Sequence, residues 1–193
     1  MARLGAELRR QEFVKAAVKV IAEHGAANAT TRRIAAAAGY PLASLHYVFK
    51  TKDELFYAVY DSLFQLPQQS LDLVPSDSDP AQTVAGMLRQ VVAWITGNPD
   101  LARAQSELFF WTIRNQPQMA TRIYGVGVEA TEQALAQVVG ERLDSDALKA
   151  ASRMLILLFD GLLVAWCAHG DLERLQAETE TACKALTLMV AYA

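Results

Sequence analysis

Helix-length stretches with apolar residues at three-and-four spacing, each closed by a glycine or a proline, recur along this 193-residue chain. That arrangement constrains the fold more than any other feature, because neither residue continues a helix cheaply. Phe13, Ala16, Ala17, Val20, Ile21 and His24 share one face of a first helix that Gly25 ends. Thr30 can cap a short second helix running to about Ala38, Gly39 stops it, and Pro41 can open a third, very short helix to about Phe49.

Thr51-Lys52-Asp53-Glu54 reads as a capping box, in which the Thr51 hydroxyl and the Glu54 carboxylate each satisfy a backbone donor of a fourth helix. Leu55, Phe56, Val59 and Leu63 supply the buried stripe of that helix. Pro67 frays its end, and the Ser-, Asp-, Gln- and Pro-rich segment from Gln68 to Asp79 is a loop or hinge. Asp79-Pro80 starts a helix ending near Gly97, Asn98-Pro99 one ending near Asn115, and Pro117 precedes a long one to about Gly140. Ser145 can cap a further helix to His169, and Gly170-Asp171 separates it from the last.

The expected fold is therefore all-α, with about nine helices. Ala and Leu outnumber the β-branched residues, in keeping with it. Asp160-Gly161 between two apolar runs resembles a hairpin turn, but the flanks do not alternate. A seven-residue pattern runs straight through them, on Leu148, Ala151, Leu155, Leu158, Leu162, Ala165 and His169, so the segment is read as helix.

Charge divides the chain. Residues 1 to 60 hold nine Lys and Arg against five Asp and Glu, although the whole carries a net charge of -3. A basic head on an acidic body suits a DNA-binding segment joined to one that does not bind DNA. Cys167 and Cys183 lack metal-ligand or CxxC spacing and are expected to be small buried apolar residues. The N-terminus lacks a signal peptide's apolar core, and the apolar run Met154 to Ala168 is short for a membrane span and contains Asp160, so a cytoplasmic location is expected.

Two short helices joined by a tight Gly-containing turn on a longer first helix describe a helix-turn-helix. The residues sharpen this. Thr30-Thr31-Arg32-Arg33-Ile34-Ala35, Ala38-Gly39 and Leu45-His46-Tyr47-Val48-Phe49-Lys50-Thr51-Lys52-Asp53-Glu54-Leu55 resemble the signature of the tetracycline-repressor (TetR) family, over about residues 8 to 60. The resemblance implies a helix-turn-helix domain over residues 1–50 and a helical ligand-binding and dimerisation domain over 51–193, connected by the helix from about 52. It implies that Thr30 caps the second helix with Thr31 and Arg32 at the DNA. It also places Leu42, Ala43, Ser44, His46 and Tyr47 in the major groove and has Lys52 reach a phosphate.

Arg32 can donate two hydrogen bonds to a guanine edge, whereas Leu42, Ala43 and Ser44 have no bidentate donor. Specificity in the recognition helix is thus expected from thymine methyls and DNA shape. Two positions depart from the family: His46 stands where Tyr is usual, and Pro41 where a small polar cap is common. Ile34, Ala35, Leu45, Phe49 and Phe56 are expected to be core of the head.

The last two helices are the expected homodimer seam, through Leu155, Leu158, Gly161, Leu162 and Ala165, then Leu175, Ala182, Leu186 and Met189. A two-fold dimer would match a palindromic double-stranded operator with half-sites about 34 to 36 Å apart or a related spacing. Large side chains cluster in helices five to seven: Met87, Val91, Trp94, Leu108, Phe109, Trp111, Ile123 and Val128. Most such residues are core, but the family resemblance implies a small-molecule effector site among these helices, apolar with a few polar anchors. Gln105, Glu107, Arg114 and Tyr124 are the candidates for those anchors. Release from DNA on effector binding is the family's commoner response.

Three other readings compete with this one. A monomer with an internal helical core is one; a ligand-independent or chromosome-organising DNA-binding protein is another. A helical-bundle enzyme would need Glu-x-x-His pairs or a phosphate loop, and neither occurs. No catalytic residue, metal ligand or cofactor is expected, since His24, His46 and His169 are dispersed.

Overall fold

The computed structural model describes residues 2–64 and 79–192. Among them are nine α-helices and no strand: α1 (Ala2–His24), α2 (Thr31–Ala37), α3 (Leu42–Val48), α4 (Lys52–Phe64), α5 (Pro80–Thr96), α6 (Pro99–Asn115), α7 (Pro117–Val139), α8 (Ser145–His169) and α9 (Leu172–Ala191). Asp160-Gly161 lies inside α8, as the seven-residue pattern requires. The expected loop from Gln68, with Pro67 before it and the side chain of Leu63, lies outside the described residues; Asp79, its last residue, stands immediately before α5.

Local chemistry explains the boundaries. Thr30 stands before α2 and its hydroxyl accepts the Arg33 N–H at 3.2 Å. Gly39 then adopts a φ of +74°, which a residue with a Cβ resists, and the chain turns sharply into α3. Pro41 is the residue before the third helix rather than inside it, with φ near -59° and an extended ψ of 145°. Gly170 closes α8 in the left-handed region, and the Asp171 carboxylate accepts the Arg174 N–H at 3.0 Å to open α9.

Two caps differ from expectation. Asp144, not Ser145, caps α8, accepting from the N–H groups of Asp146 and Ala147 at 2.9 Å. A carboxylate outcompetes the neighbouring hydroxyl because it is a charged acceptor at the positive end of the helix dipole. At α4, Thr51 Oγ1 accepts the Glu54 N–H at 3.1 Å as a capping box requires, but Glu54 Oε2 reaches back to the N–H of Lys50 at 2.7 Å. The reciprocal bond is displaced by one residue, towards the α3–α4 turn.

The chain divides into two compact units. In the first, α1 to α4 combine with α6 and the opening of α7 up to Ile123. Phe13, Ala17, Ile21, Ile34, Leu45, Phe49, Leu55, Phe56, Leu108 and Ile123 form its buried core. Phe13 and the Tyr40 ring meet at 5.4 Å, and the Tyr40 hydroxyl donates to Glu12 at 2.5 Å, a bond that holds the phenol proton more tightly than usual. Ile34, Ala35, Leu45, Phe49 and Phe56 are all core, as the apolar spacing predicts.

The second unit joins α5, the rest of α7, α8 and α9. Val84, Ala85, Leu88, Leu135, Leu155, Leu175, Cys183 and Leu186 are buried in it. Arg89 of α5 makes a two-pronged bond to the Glu180 carboxylate of α9, at 2.7 and 2.9 Å. Cys183 fits the expectation of a buried apolar residue and donates to the Ala85 carbonyl at 3.4 Å, but Cys167 is exposed. Position on the helix decides between them, and composition carries no such information. The 25-residue α8 as a whole, unlike its central run Met154 to Ala168, is by length and composition long and apolar enough to cross a membrane. Its Leu155, Leu162 and Leu163 are buried inside the protein.

Candidate nucleic-acid interface

The corner formed by α2 and α3 presents one face to its own core and another to solvent. On α3 the inward side chain is Leu45, fully buried, followed by Phe49 in the turn. His46 and Ala43 are exposed, Tyr47 is 72% exposed, and Leu42 and Ser44 are half-buried. A large aromatic ring so bare on a seven-residue helix contributes little to the fold, and its exposure leaves ring and hydroxyl available to a duplex.

On α2, Thr30 and Arg32 are exposed and Thr31 is half-buried. The two adjacent arginines are used differently. Arg33 turns back, its Nη1 donating to the Asn28 carbonyl at 3.0 Å, whereas Arg32 has no hydrogen-bond or ion-pair partner among the described residues. Its guanidinium is therefore free to donate in its planar, two-pronged geometry. Lys50 sits beside the recognition helix, with Nζ 3.5 Å from the Tyr47 carbonyl and 5.7 Å from the centre of its ring.

Lys52 is placed differently from the outward-reaching residue that the family pattern implies. Its Nζ donates to the Ala26 carbonyl at 3.3 Å and lies 4.6 Å from the Phe56 ring centre and 5.4 Å from that of Trp111. Burial pushes its pKa down, with Asp53 opposing the shift.

The residues expected at a ligand site fall in both units. Leu108 and Ile123 are fully buried in the core of the first, with Phe109 and Trp111 packed against it. Met87 is core of the second, where Val91, Trp94 and Val128 are half-buried and Tyr124 is 38% exposed. Glu107 and Arg114 are exposed. Gln105 stands apart: at 5% exposure it is the one amide among the buried polar residues described. An amide carries both donors and an acceptor, so a buried one on this helix is suited to anchor a polar group of a ligand. A separate open groove of about 940 Å³ in the first unit is lined by Arg10, Thr51, Asp53, Glu54, Tyr57, Met119, Arg122 and the turn from Asn115 to Gln118. None of the expected ligand residues lines it.

Burial also redirects the expected dimer seam. Leu155, Leu162, Leu175, Ala182 and Leu186 lie in the core of their own unit, with Leu158 and Met189 packed against it. Gly161 is exposed and Ala165 half-buried. α8 leaves exposed an apolar line of Ala150, Met154, Leu157, Gly161, Val164 and Ala168, itself at three-and-four spacing. Sequence reading missed this second line because both lines are apolar and share the period; only the packing of α9 and α5 on one of them separates the two.

A compact helix-turn-helix with an outward arginine and tyrosine, followed by a helical body, defines a DNA-binding regulator. Residues 13–59 match the model of the bacterial regulatory proteins of the tetR family. The nicotine-responsive transcriptional repressor HdnoR of Paenarthrobacter nicotinovorans is 27% identical over 163 residues, covering 83% of this chain and 84% of that repressor. A TetR-family member from Streptomyces coelicolor A3 superposes with a TM-score of 0.70 at 25% identity, over 94% of this chain and 97% of that one. The multidrug binding protein EbrR, in its complex with ethidium, does so with a TM-score of 0.67 at 25% identity over the same shares. Through residues 13–59 the chain carries the DNA-binding region of the TetR family, and it is a DNA-binding transcription regulator, not an enzyme.

Proposed function

We propose that this regulator is a cytoplasmic repressor that binds a palindromic operator as a homodimer and is released by a small, largely apolar effector. Residues 1–50 serve as the DNA-binding head and 51–193 as the effector and dimer region, joined through α4. Thr30, Thr31 and Arg32 meet the DNA from α2, with Arg32 the main polar reader of a base edge. Leu42, Ala43, Ser44, His46 and Tyr47 enter the major groove, and Lys52 meets a phosphate. The observation that carries the reading is the contrast on α3 and α2 between the fully buried Leu45 and Ile34 and the bare Tyr47 and Arg32.

The effector reading rests on Gln105. One turn along α6 from it, Phe109 faces the Tyr60 ring at 6.3 Å and Phe110 at 6.2 Å. A buried amide beside aromatic surface suits a flat, mostly apolar molecule with one hydrogen-bonding group. Relatives respond to nicotine or bind ethidium and malachite green, all aromatic. For the dimer, the exposed stripe Met154, Leu157, Gly161, Val164 of α8, with Ala185, Leu188 and Tyr192 on α9 and after it, is the surface a second copy would cover.

Selecting bound sequences from random DNA tests the first half: an enriched inverted repeat is expected, and a pool without symmetry counts against a dimeric reader. Titrating nicotine into the selected complex, and following the Tm of the DNA-free protein with ethidium, tests the second. Loss of DNA binding and a higher Tm are the expected responses to these two probes.

A further inference from the structure

The geometry points to Trp111 as a positioning residue that holds the Lys52 ammonium in a seat on the protein, away from the phosphate it is meant to reach, so that α6 governs how strongly the head grips DNA. The inference rests on the reading of Lys52 as a phosphate contact and adds its control.

Three observations meet at this place in the first unit. The Lys52 Nζ has a carbonyl partner, Ala26 O at 3.3 Å, and two aromatic faces, Phe56 at 4.6 Å and Trp111 at 5.4 Å. The rings are themselves interlocked, Trp111 standing edge-on to Phe56 with centroids 5.5 Å apart. One residue further, Asp53 Oδ1 accepts from the Gln116 amide at 2.9 Å, so the first turn of α4 is tied to α6 at the ring and to the turn that follows α6.

A lysine in water gains only a little from an indole, whereas here the ammonium sits against two rings and a carbonyl, where partial desolvation strengthens a cation–π contact. Burial lowers the affinity of this amine for its proton, because desolvation disfavours the ammonium; the rings and the carbonyl act in the opposite sense and offset part of that cost. A phosphate must therefore compete with the seat, and the seat is built partly from α6. The same α6 carries Gln105, one and a half turns before Trp111. Trp111 thereby leaves the set of effector-lining candidates and becomes the link between that helix and the DNA face.

The wild-type protein offers a test free of folding effects. The Lys52 ε-methylene protons are expected upfield in the DNA-free protein, shifted by the Phe56 and Trp111 rings, and to lose that shift when a duplex enriched from random DNA is added. An unshifted resonance in the free protein, or a shift that survives DNA binding, overturns the inference.

A four-protein cycle adds function: wild type, Trp111→Leu, Lys52→Gln and the double variant, titrated against that duplex at two salt concentrations. Trp111→Leu is expected to tighten binding about fivefold, the scale of a partly buried cation–π contact. In the Lys52→Gln background the same change is expected to do nothing, and Trp111→Phe, which keeps a ring, is expected to bind nearly as wild type. An equal effect of Trp111→Leu in both backgrounds overturns the link. If Lys52→Gln alone leaves affinity and salt dependence unchanged, it is the phosphate reading that fails, a distinguishable result.

Discussion

The Thr30 hydroxyl accepts the backbone N–H of Arg33 at 3.2 Å, and the Arg32 guanidinium beside that bond has no hydrogen-bond or ion-pair partner among the described residues. The cap fixes where α2 begins and hence where Arg32 points. Thr30→Ala is expected to cost about 1 kcal/mol in chemical denaturation, the usual worth of a hydroxyl cap, while Thr30→Ser keeps most of it. Operator affinity should fall with Thr30→Ala as well; an unchanged affinity would mean that the cap serves stability alone.

Arg32→Ala removes the polar reader. A loss of about 1 to 3 kcal/mol in operator binding is expected, with relaxed preference at one base pair per half-site, read by titrating single-substitution operators. Lys50→Ala, beside the exposed Tyr47 ring, is expected to weaken all duplexes alike and to lower the salt slope by about one.

Much of this was legible in residues alone. Helix number, the Gly39 turn, the Thr30 cap and the head core follow from spacing and side-chain chemistry, because those are short-range effects. What required the fold was of another kind. Asp144 displaced Ser145 as a cap by a one-residue competition between two good acceptors. Lys52 turned inward because Trp111, 59 positions away, supplies a face that no local pattern reveals. On α8, two apolar lines with one period differ only in which of them α9 and α5 cover.

That difference yields a paired prediction. Leu162→Ala, in the core of the second unit, is expected to cost about 2 to 5 kcal/mol of stability. Leu157→Glu, at a residue 55% exposed, is expected to leave the fold intact and shift the protein towards monomer in light scattering. Should Leu157→Glu stay dimeric, the exposed stripe of α8 is not the seam.

Asp160 gives the protein a pH signature. Burial among the apolar residues of α8 raises its pKa from 3.8 to about 6, so the folded chain binds a proton that the unfolded chain has lost. For an acid shifted upward, stability is fully present below the unfolded pKa and declines as pH rises through the window from 3.8 to about 6. Asp160→Asn is expected to flatten that part of the profile and to gain about 2 kcal/mol at neutral pH, by denaturation across the pH range. A profile unchanged by the substitution would assign the decline to another group.

Methylation protection on the selected operator asks most directly whether the α2–α3 corner enters the major groove. Dimethyl sulfate marks guanine N7 in that groove and adenine N3 in the minor groove. Protected guanines are predicted at two symmetric positions about one or more helical turns apart, with protection lost at those guanines in the Arg32→Ala complex. Guanines that stay fully reactive under a bound protein, or protection confined to adenine N3, would contradict it.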